Sequence, residues 1–351
     1  MIYVIMAGEP SPQLINMMEA ATKGHKFRVI KDETELPNLQ NVKILFAIEL
    51  GSLGFNISLL KILSVLSSRG NDALLGSVGA LLVHSKSDLY TKSTAAHIIF
   101  MANQLGCSFI GHPLVEAIGG LKNFKTWQKR LNLSLEEISL SLSGQLGARL
   151  AQFAYKKIEN PNIVALHSSS RATSNTLSLW NMVTESLNNC NLDELYIKNG
   201  SVFDCYGCSY KTCMQFAQES SCFYGGVMTE TILPTIEKAD ALVWICPNYN
   251  DSISSNLMAV INRLTTLYRI MDFYDKAIFA VIVSGNSGSD SIARQLIDAL
   301  NINKGFYLPP YFAIMEIAND LGAILRVEGI EEKARDFGEH IVKSVTILDA
   351  N

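Results

Sequence analysis

An internal duplication limits what this chain can fold into more narrowly than any other feature. The segment KILFAIELGSLGFNISLLKILSVL, Lys43 to Leu66, lies without gaps on ALVWICPNYNDSISSNLMAVINRL, Ala241 to Leu264, at a constant shift of 198 positions. Each reads as a short apolar strand, a loop and a helix. Further on, SVGALLVHS (Ser77 to Ser85) parallels AIFAVIVSG (Ala277 to Gly285). Amphipathic helical patterns follow both, near Leu89 to Leu105 and Ser289 to Leu300. The copies then reach similar strands, FIGHP ending at Pro113 and FYLPP ending at Pro310. Identities are few, so shared pattern carries the match.

Short apolar strands alternating with helical patterns of ten to fifteen residues specify βαβ units and a parallel sheet. In the second copy strands are expected near Ile163–Leu166, Leu195–Ile197, Ala241–Cys246, Ala277–Val283 and Phe306–Leu308. Five strands in that rhythm suit the doubly wound order 2-1-3-4-5. The expected fold class is therefore α/β: two doubly wound five-stranded parallel sheets produced by a tandem, degenerate duplication. A length of 351 residues fits two domains. They are expected at residues 1–120 and 161–351. A helical connector, 121–160, would pack its leucines on both and end at the turn Glu159-Asn160-Pro161.

Composition removes several classes of function. A formal charge of −4 gives no basic excess for nucleic acid or an anionic membrane. The apolar run in MIYVIMAGEP is too short for a span and lacks the flanks of a signal peptide, so it reads as a first buried strand. Seven cysteines, an odd number, argue for a reducing cytoplasm and a soluble cytoplasmic protein.

In an open parallel sheet, ligands sit beyond the carboxyl ends of the strands where strand order reverses. After the first strand of the second copy comes HSSSRATSNT, His167 to Thr176, and then a helix. Six hydroxyls (Ser168, Ser169, Ser170, Thr173, Ser174, Thr176), Arg171 and Asn175 gather at that helix N-terminus. Backbone N–H groups and the positive dipole end favour an anion there, and Arg171 adds a charged donor. Helix capping alone would need only one or two of these residues. After the third strand, Pro247, Asn248, Tyr249 and Asn250 offer amide and aromatic groups to a flat heterocycle with polar edges. After the fourth, Ser284, Gly285, Asn286 and Gly288 let the backbone approach a ligand closely. Glycine-rich dinucleotide loops and the Walker pattern are absent. No catalytic triad or carboxylate pair is visible.

These loops resemble those of the NADPH-dependent FMN reductases and related iron-sulfur flavoproteins, a flavodoxin-like superfamily. HSSSRATSNT is similar to that family's GSPRxxSNT, keeping Ser168, Arg171, Ser174, Asn175 and Thr176. CPNYNDSISSNLMAVINR is similar to SPxYxxxxSxxLKxFIDR, keeping Pro247, Tyr249, Ser254, Leu257 and Arg263, with His167 for the usual Gly and Asn262 for the usual Asp. The resemblance covers about Pro161 to Val327. It implies that Ser168, Ser170, Arg171, Ser174, Asn175 and Thr176 hold the phosphate of FMN. Residues 247 to 250 would border the isoalloxazine, and Ser284 to Gly288 its other edge.

Between strands of the second copy, Cys205, Cys208, Cys213 and Cys222 give C-x2-C-x4-C-x8-C. The pattern is open to an iron–sulfur cluster, a zinc ion, a Cys205/Cys208 dithiol pair or simply small free thiols. The related flavoproteins carry C-x2-C-x2-C-x5-C followed by Met; Cys222 and Met228 keep the final spacing and Cys213 is displaced. The first copy instead opens with AGEPSPQ, which has one serine, no arginine and an acidic Glu9, while Pro10 and Pro12 remove donors. That copy is expected to keep the fold without binding flavin. It would stand as pseudo-dimer partner within the chain, with a homodimer as the alternative, or serve as a separate partner-binding surface.

The resemblance implies an FMN-dependent oxidoreductase that takes hydride from NAD(P)H and passes electrons to a small-molecule or protein acceptor. The competing expectations are a non-enzymatic electron-transfer flavoprotein or flavin-dependent sensor, with or without a cluster, and a zinc-stabilised binding protein that has lost its cofactor.

Overall fold

The computed structural model describes residues 1–169 and 174–347. They form two compact units, Met1–Ala154 with Leu308–Tyr311, and Tyr155–Tyr307 with Phe312–Asn351.

The first unit carries β1 (Ile2–Ile5), α1 (Pro12–Thr22), β2 (Phe27–Ile30), β3 (Lys43–Leu50), α2 (Ile57–Ser68), β4 (Val78–Ser85), α3 (Thr91–Asn103), β5 (Ser108–Ala117), α4 (Lys125–Leu131) and α5 (Leu135–Gln152). Its sheet runs β2-β1-β3-β4-β5, all parallel. β4 is buried at every position, which explains its unbroken apolar reading: helices cover both faces of a parallel sheet. At the sheet edge, β5 runs through Pro113 because the register shifts between its pairings with Gly79 and Leu81. An edge strand with such an irregularity tolerates the missing N–H.

The segment expected as a connector belongs to this unit as far as Ala154. Ser134 and Glu137 form a reciprocal capping box that starts α5. Ile138, Leu146 and Leu150 of α5 are then buried with Leu14, Met17 and Ala21 of α1. Burying each such leucine or isoleucine is worth about 2 kcal/mol. Gly147 permits the contact, since a Cβ there would lie 1.8 Å from the carbonyl oxygen of Ala21.

The second unit carries β6 (Asn162–His167), α6 (Asn175–Thr184), β7 (Asn191–Tyr196), α7 (Tyr210–Gln218), α8 (Leu233–Lys238), β8 (Ala241–Pro247), α9 (Ser255–Arg263), α10 (Thr265–Tyr268), β9 (Ala277–Ser284), α11 (Ser289–Leu296), β10 (Ala313–Ile317) and α12 (Ile330–Val345). Its order, β10-β9-β8-β6-β7, is the same doubly wound arrangement. Both sheets thus have the flavodoxin-like order, reversing between β1 and β3 in one and between β6 and β8 in the other.

Two strands differ from the sequence expectation. β7 begins at Asn191 rather than Leu195; it is an edge strand with only Leu192 and Leu195 half-buried, so its polar start carried no apolar signal. The fifth strand is Ala313–Ile317, not Phe306–Leu308. Tyr307 makes only an isolated bridge to Ala277, and the ladder with β9 starts at Ala313↔Ala280. Pro309 and Pro310 have no N–H to donate, and Tyr311 adopts φ 49°, so a continuous ladder forms only beyond them.

Candidate functional site

At the carboxyl edge of the second sheet, four strand-end loops enclose a cavity of about 890 Å³. From the loop after β6 come Ser168, Ser169, Ser174, Asn175 and Thr176; from that after β8 come Pro247, Asn248, Tyr249 and Ile253 to Asn256. Val283 and Gly285 follow β9, and Ala318, Asn319 and Leu321 follow β10. An adjoining hollow of about 340 Å³ is bordered by Asn250, Asp251 and Asn286, together with Asn248, Gly285 and Asn319. Of the expected residues, the fold therefore brings together Ser168, Ser174, Asn175, Thr176, Pro247, Asn248, Tyr249, Asn250, Gly285 and Asn286. Ser170 and Arg171 lie outside the described residues, as does Thr173.

The hydroxyls are arranged rather than merely crowded. Ser174 caps α6 by accepting from the Leu177 N–H at 3.4 Å and donates to Ser169 Oγ at 3.3 Å. Ser168 Oγ lies 2.8 Å from Ser254 Oγ, the residue preceding α9. Ser254 makes no side-chain cap bond of its own, so the first turn of α9 keeps its N–H groups for another acceptor. The N-terminal ends of α6 and α9 both border the cavity, and both dipoles favour negative charge there. Among the described residues lining the main cavity there is no carboxylate to oppose an anion.

Asn175 has a different task from the one expected. Its Nδ2 donates to the carbonyls of Ala318 (3.0 Å) and Asp320 (2.8 Å), and its Oδ1 accepts from Ile324 N–H at 3.3 Å. With both amide hydrogens used, the side chain holds the loop after β10 against the N-terminus of α6. Replacing Asn175 by alanine removes three bonds of about 1 kcal/mol each, partly offset by water. The second unit of the variant is expected to lose about 1–2 kcal/mol of stability, read by urea titration; an unchanged midpoint would show that the loop needs no such tether.

Asn248 plays a similar part beneath the other wall. Its Nδ2 is within reach of Asp251 Oδ1 (3.1 Å), Ser284 Oγ (3.1 Å) and the Ser287 carbonyl (3.0 Å), while its Oδ1 accepts from Asp251 N–H at 2.8 Å. That network joins the loops after β8 and β9. Ser284 and Gly288, expected at the edge of the ligand, stand behind this wall instead. Ser284 is fully buried and also bonds Ser289 Oγ at 2.6 Å. Gly288 (φ +89°) is packed so that a Cβ would lie 2.1 Å from Asp251 Oδ1 and 3.0 Å from Asn248 Nδ2. Tyr249 remains 57% exposed at the mouth, its ring free to meet a planar ligand.

Sequence reasoning missed Asn199 and the loop 318–321. Asn199 accepts from Asn256 Nδ2 at 2.7 Å and follows the edge strand β7. The 318–321 loop would have followed from placing the fifth strand correctly. His167, which ends β6, stacks on Tyr196 with centroids 5.2 Å apart. Burial pushes its pKa below the ordinary value although Glu194 opposes the shift.

The four-cysteine loop does not assemble the expected ligand set. Among the described residues no three His, Cys, Asp or Glu side chains are grouped to hold a metal ion. Cys205 is exposed, Cys208, Cys213 and Cys222 are half-buried, and all four are free. The four-residue gap after Cys208 places Cys213 inside α7, whose start Ser209 caps through Thr212 N–H at 3.2 Å. Burial and the neighbouring thiols of Cys213, Cys222 and Cys205 hold Cys208 above its ordinary pKa. Cys246, wholly buried in β8, is pushed up to about 12.

The corresponding edge of the first sheet is filled by its own side chains. Glu49, near the end of β3, accepts at Oε2 from the backbone N–H (3.1 Å) and Oγ (2.7 Å) of Ser11, the N-cap of α1. Its Oε1 lies 2.7 Å from His84 Nδ1. Glu9, the acidic residue that the sequence drew attention to, is exposed. Burial pushes the Glu49 carboxyl up, but the hydrogen bonds of His84 and Ser11 outweigh it and hold the pKa below the ordinary carboxylate value. A depressed pKa contributes stability that is present above the unfolded value, near about 4.3, and is lost as pH falls through the folded value. Thermal midpoints measured between about pH 3 and 6 are therefore expected to drop more steeply in the wild type than in Glu49→Gln. Parallel curves would contradict this.

The fold and this edge define an open α/β protein with a built ligand crevice at the switch point of its second sheet. Residues 161–319 match the family described as NADPH-dependent FMN reductase. Among solved structures, an NAD(P)H:quinone oxidoreductase from Methanothermobacter marburgensis aligns at 16% identity, covering 52% of this chain and 97% of its own, with a TM-score of 0.40. An azoreductase from Bacillus anthracis str. Sterne aligns at 13% identity over 51% of this chain and 99% of its own, also at 0.40. No curated protein matches the chain. Among the described residues no helix is long and apolar enough to cross a membrane.

Proposed function

We propose that the second unit binds FMN in the cavity at its switch point and that the chain is an NAD(P)H-dependent FMN oxidoreductase. The observation that carries this reading is the cavity itself, about 890 Å³, bordered by two helix N-termini, a row of hydroxyls and an exposed tyrosine. That volume lies in the usual range for cofactor sites. The donor set fits a phosphate at one end and a flat, polar-edged ring at the other. The family match over residues 161–319 supports the same reading.

In this reading Ser168, Ser174 and Thr176, with Ser170 and Arg171, hold the phosphate. Pro247, Asn248, Tyr249 and Asn250 border one edge of the ring, and Gly285 and Asn286 the other. Asn175, Ser284 and Gly288 position those loops. FMN, when bound, supplies hydride acceptance from a nicotinamide and onward electron transfer to an acceptor. The protein orients it and limits water around it, with no proton carrier required among the lining groups. The cysteine loop is given no role in electron transfer. The first unit, Met1–Ala154 with Leu308–Tyr311, keeps the fold without flavin in this reading.

Anaerobic mixing of the FMN-loaded protein with NADPH or NADH tests the activity: the flavin absorbance should bleach and return on adding a quinone or another acceptor. A chain that binds FMN yet leaves it oxidised with both nicotinamides would refute the oxidoreductase reading.

A further inference from the structure

We propose that the four-thiol loop of the second unit is a thiol–disulfide exchange site for anionic disulfides, in which Cys205 is the attacking sulfur and Cys208 the one that resolves the mixed disulfide. Cys205 is exposed and Cys208 half-buried. Gly207, at φ 75°, turns the chain between them and donates its N–H to Cys205 Sγ at 3.4 Å. Open access and a donor on the sulfur favour Cys205 as the thiolate that attacks. The carboxylate of Asp204, next in the chain, is turned into the loop: its Oδ1 accepts from Cys205 N–H (2.7 Å) and from Asn262 Nδ2 (2.8 Å).

Beneath the loop lie three cations that nothing else balances. Arg263 ends α9, Arg269 follows α10 and Lys304 precedes β10. Arg263 is only 2% exposed and Lys304 only 7%. Among the described residues no carboxylate pairs with any of the three, and Lys304 Nζ has a neutral partner, Thr265 Oγ1 at 2.8 Å. The Nε atoms of Arg263 and Arg269 are buried without a hydrogen-bond partner. Buried charge in this condition is costly unless a counter-charge forms beside it. Burial and the Arg269 charge push the Lys304 pKa down, while the sulfurs of Cys205 and Cys213 oppose the shift. An anionic sulfur is therefore the partner these cations lack. Arg269 lies 4.6 Å from the centroid of Tyr210 and Arg263 6.0 Å from that of Tyr224, both exposed rings, so the positive potential extends to the loop surface and draws an anionic disulfide toward it.

Arg263 also clasps both ends of the loop, donating from Nη1 to the Phe203 carbonyl (3.4 Å) and from Nη2 to that of Gly225 (3.1 Å), so the thiols are held for reaction without unfolding. Cys208, kept above its ordinary pKa by burial and the surrounding thiols, retains its proton while Cys205 attacks. In the first step the Cys205 thiolate displaces one thiolate from R–S–S–R and forms a Cys205–S–S–R bond. Cys208 then gives up its proton and attacks the Cys205 sulfur, expelling the second thiolate. One disulfide is reduced to two thiols while the loop loses two electrons and gains a Cys205–Cys208 bond, which a dithiol reductant reopens. The exchange runs through sulfur alone and needs no flavin.

The test is reaction of the reduced full-length chain with oxidised glutathione, an anionic disulfide, followed by mass spectrometry of the non-reduced digest. The expected result is a Cys205–Cys208 disulfide with two glutathione thiols released per chain, formed about tenfold or more faster than free cysteine reacts. In Cys208→Ser the reaction should stop with glutathione bound to Cys205. Cystamine, a cationic disulfide, should react about tenfold more slowly than oxidised glutathione when each is scaled to free cysteine, and Lys304→Met should narrow that difference. If Lys304→Met does not fold, the contrast between the two disulfides on the wild type still reads the charge effect. Attack at Cys205 no faster than free cysteine, glutathione spread over several cysteines, equal scaled rates for the two disulfides, or a metal ion held by all four thiols in the anaerobically purified chain overturns the inference.

Discussion

Replacing Gly288 with valine is expected to weaken FMN binding by on the order of 100-fold while leaving both sheets folded. Gly288 sits at φ +89°, a conformation that a β-branched residue adopts only under strain, and precedes α11 directly. Its missing side chain also makes room for Asp251 Oδ1, which a Cβ would approach to 2.1 Å. The strain and the overlap each cost about 1–3 kcal/mol. The least costly escape is for the loops after β8 and β9 to separate. That breaks the Asn248 bonds to Ser284 Oγ and the Ser287 carbonyl, which join those two walls of the cavity. About 3 kcal/mol taken from the bound state corresponds to roughly a hundredfold loss in affinity. Equilibrium dialysis with FMN reads the effect, and circular dichroism reports the fold. Unchanged affinity would mean that this wall does not border the flavin.

Gly147→Val should destabilise the first unit by about 3 kcal/mol or more. A Cβ at this position would lie 1.8 Å from the Ala21 carbonyl oxygen and 2.5 Å from its carbon, and neither is the end of a flexible side chain. α1 and α5 must move apart, uncovering Leu14, Met17, Leu146 and Leu150, all now at most 0% exposed. The second unit has its own core, so FMN binding should survive in urea concentrations that unfold the first unit of the variant. Urea titrations that follow far-ultraviolet circular dichroism and flavin fluorescence in parallel separate the two. A variant as stable as the wild type would show that the helix pair can give way without cost.

Much of this architecture was legible in the sequence, and the rest was hidden for identifiable reasons. β4, β8 and β9 are buried along their whole length, so each is a continuous apolar run that periodicity detects. β7 has four exposed positions and begins with a polar residue, and β10 lies behind two prolines that mimic the end of a chain segment. The misplaced fifth strand concealed the loop holding Ala318, Asn319 and Leu321. Hydroxyl and amide residues in the other loops could be read as a site because strand ends fix their position. Their division of labour could not. That Asn175 and Asn248 brace the loops depends on carbonyls and hydroxyls remote in sequence, such as Asp320 and Ser284. The same distance separates Ser11 from Glu49, which is why the sequence pointed to the neighbouring Glu9 instead.

The central claim is that the second unit holds a flavin by its phosphate. Titration of the apoprotein with FMN and, separately, with riboflavin tests it most directly. The two ligands differ only in the phosphate, whose charge-assisted hydrogen bonds are worth about 1.5–3 kcal/mol each. One FMN per chain, bound on the order of 100-fold more tightly than riboflavin, is the predicted result. Equal affinity for the two, or no binding of either, would contradict the account.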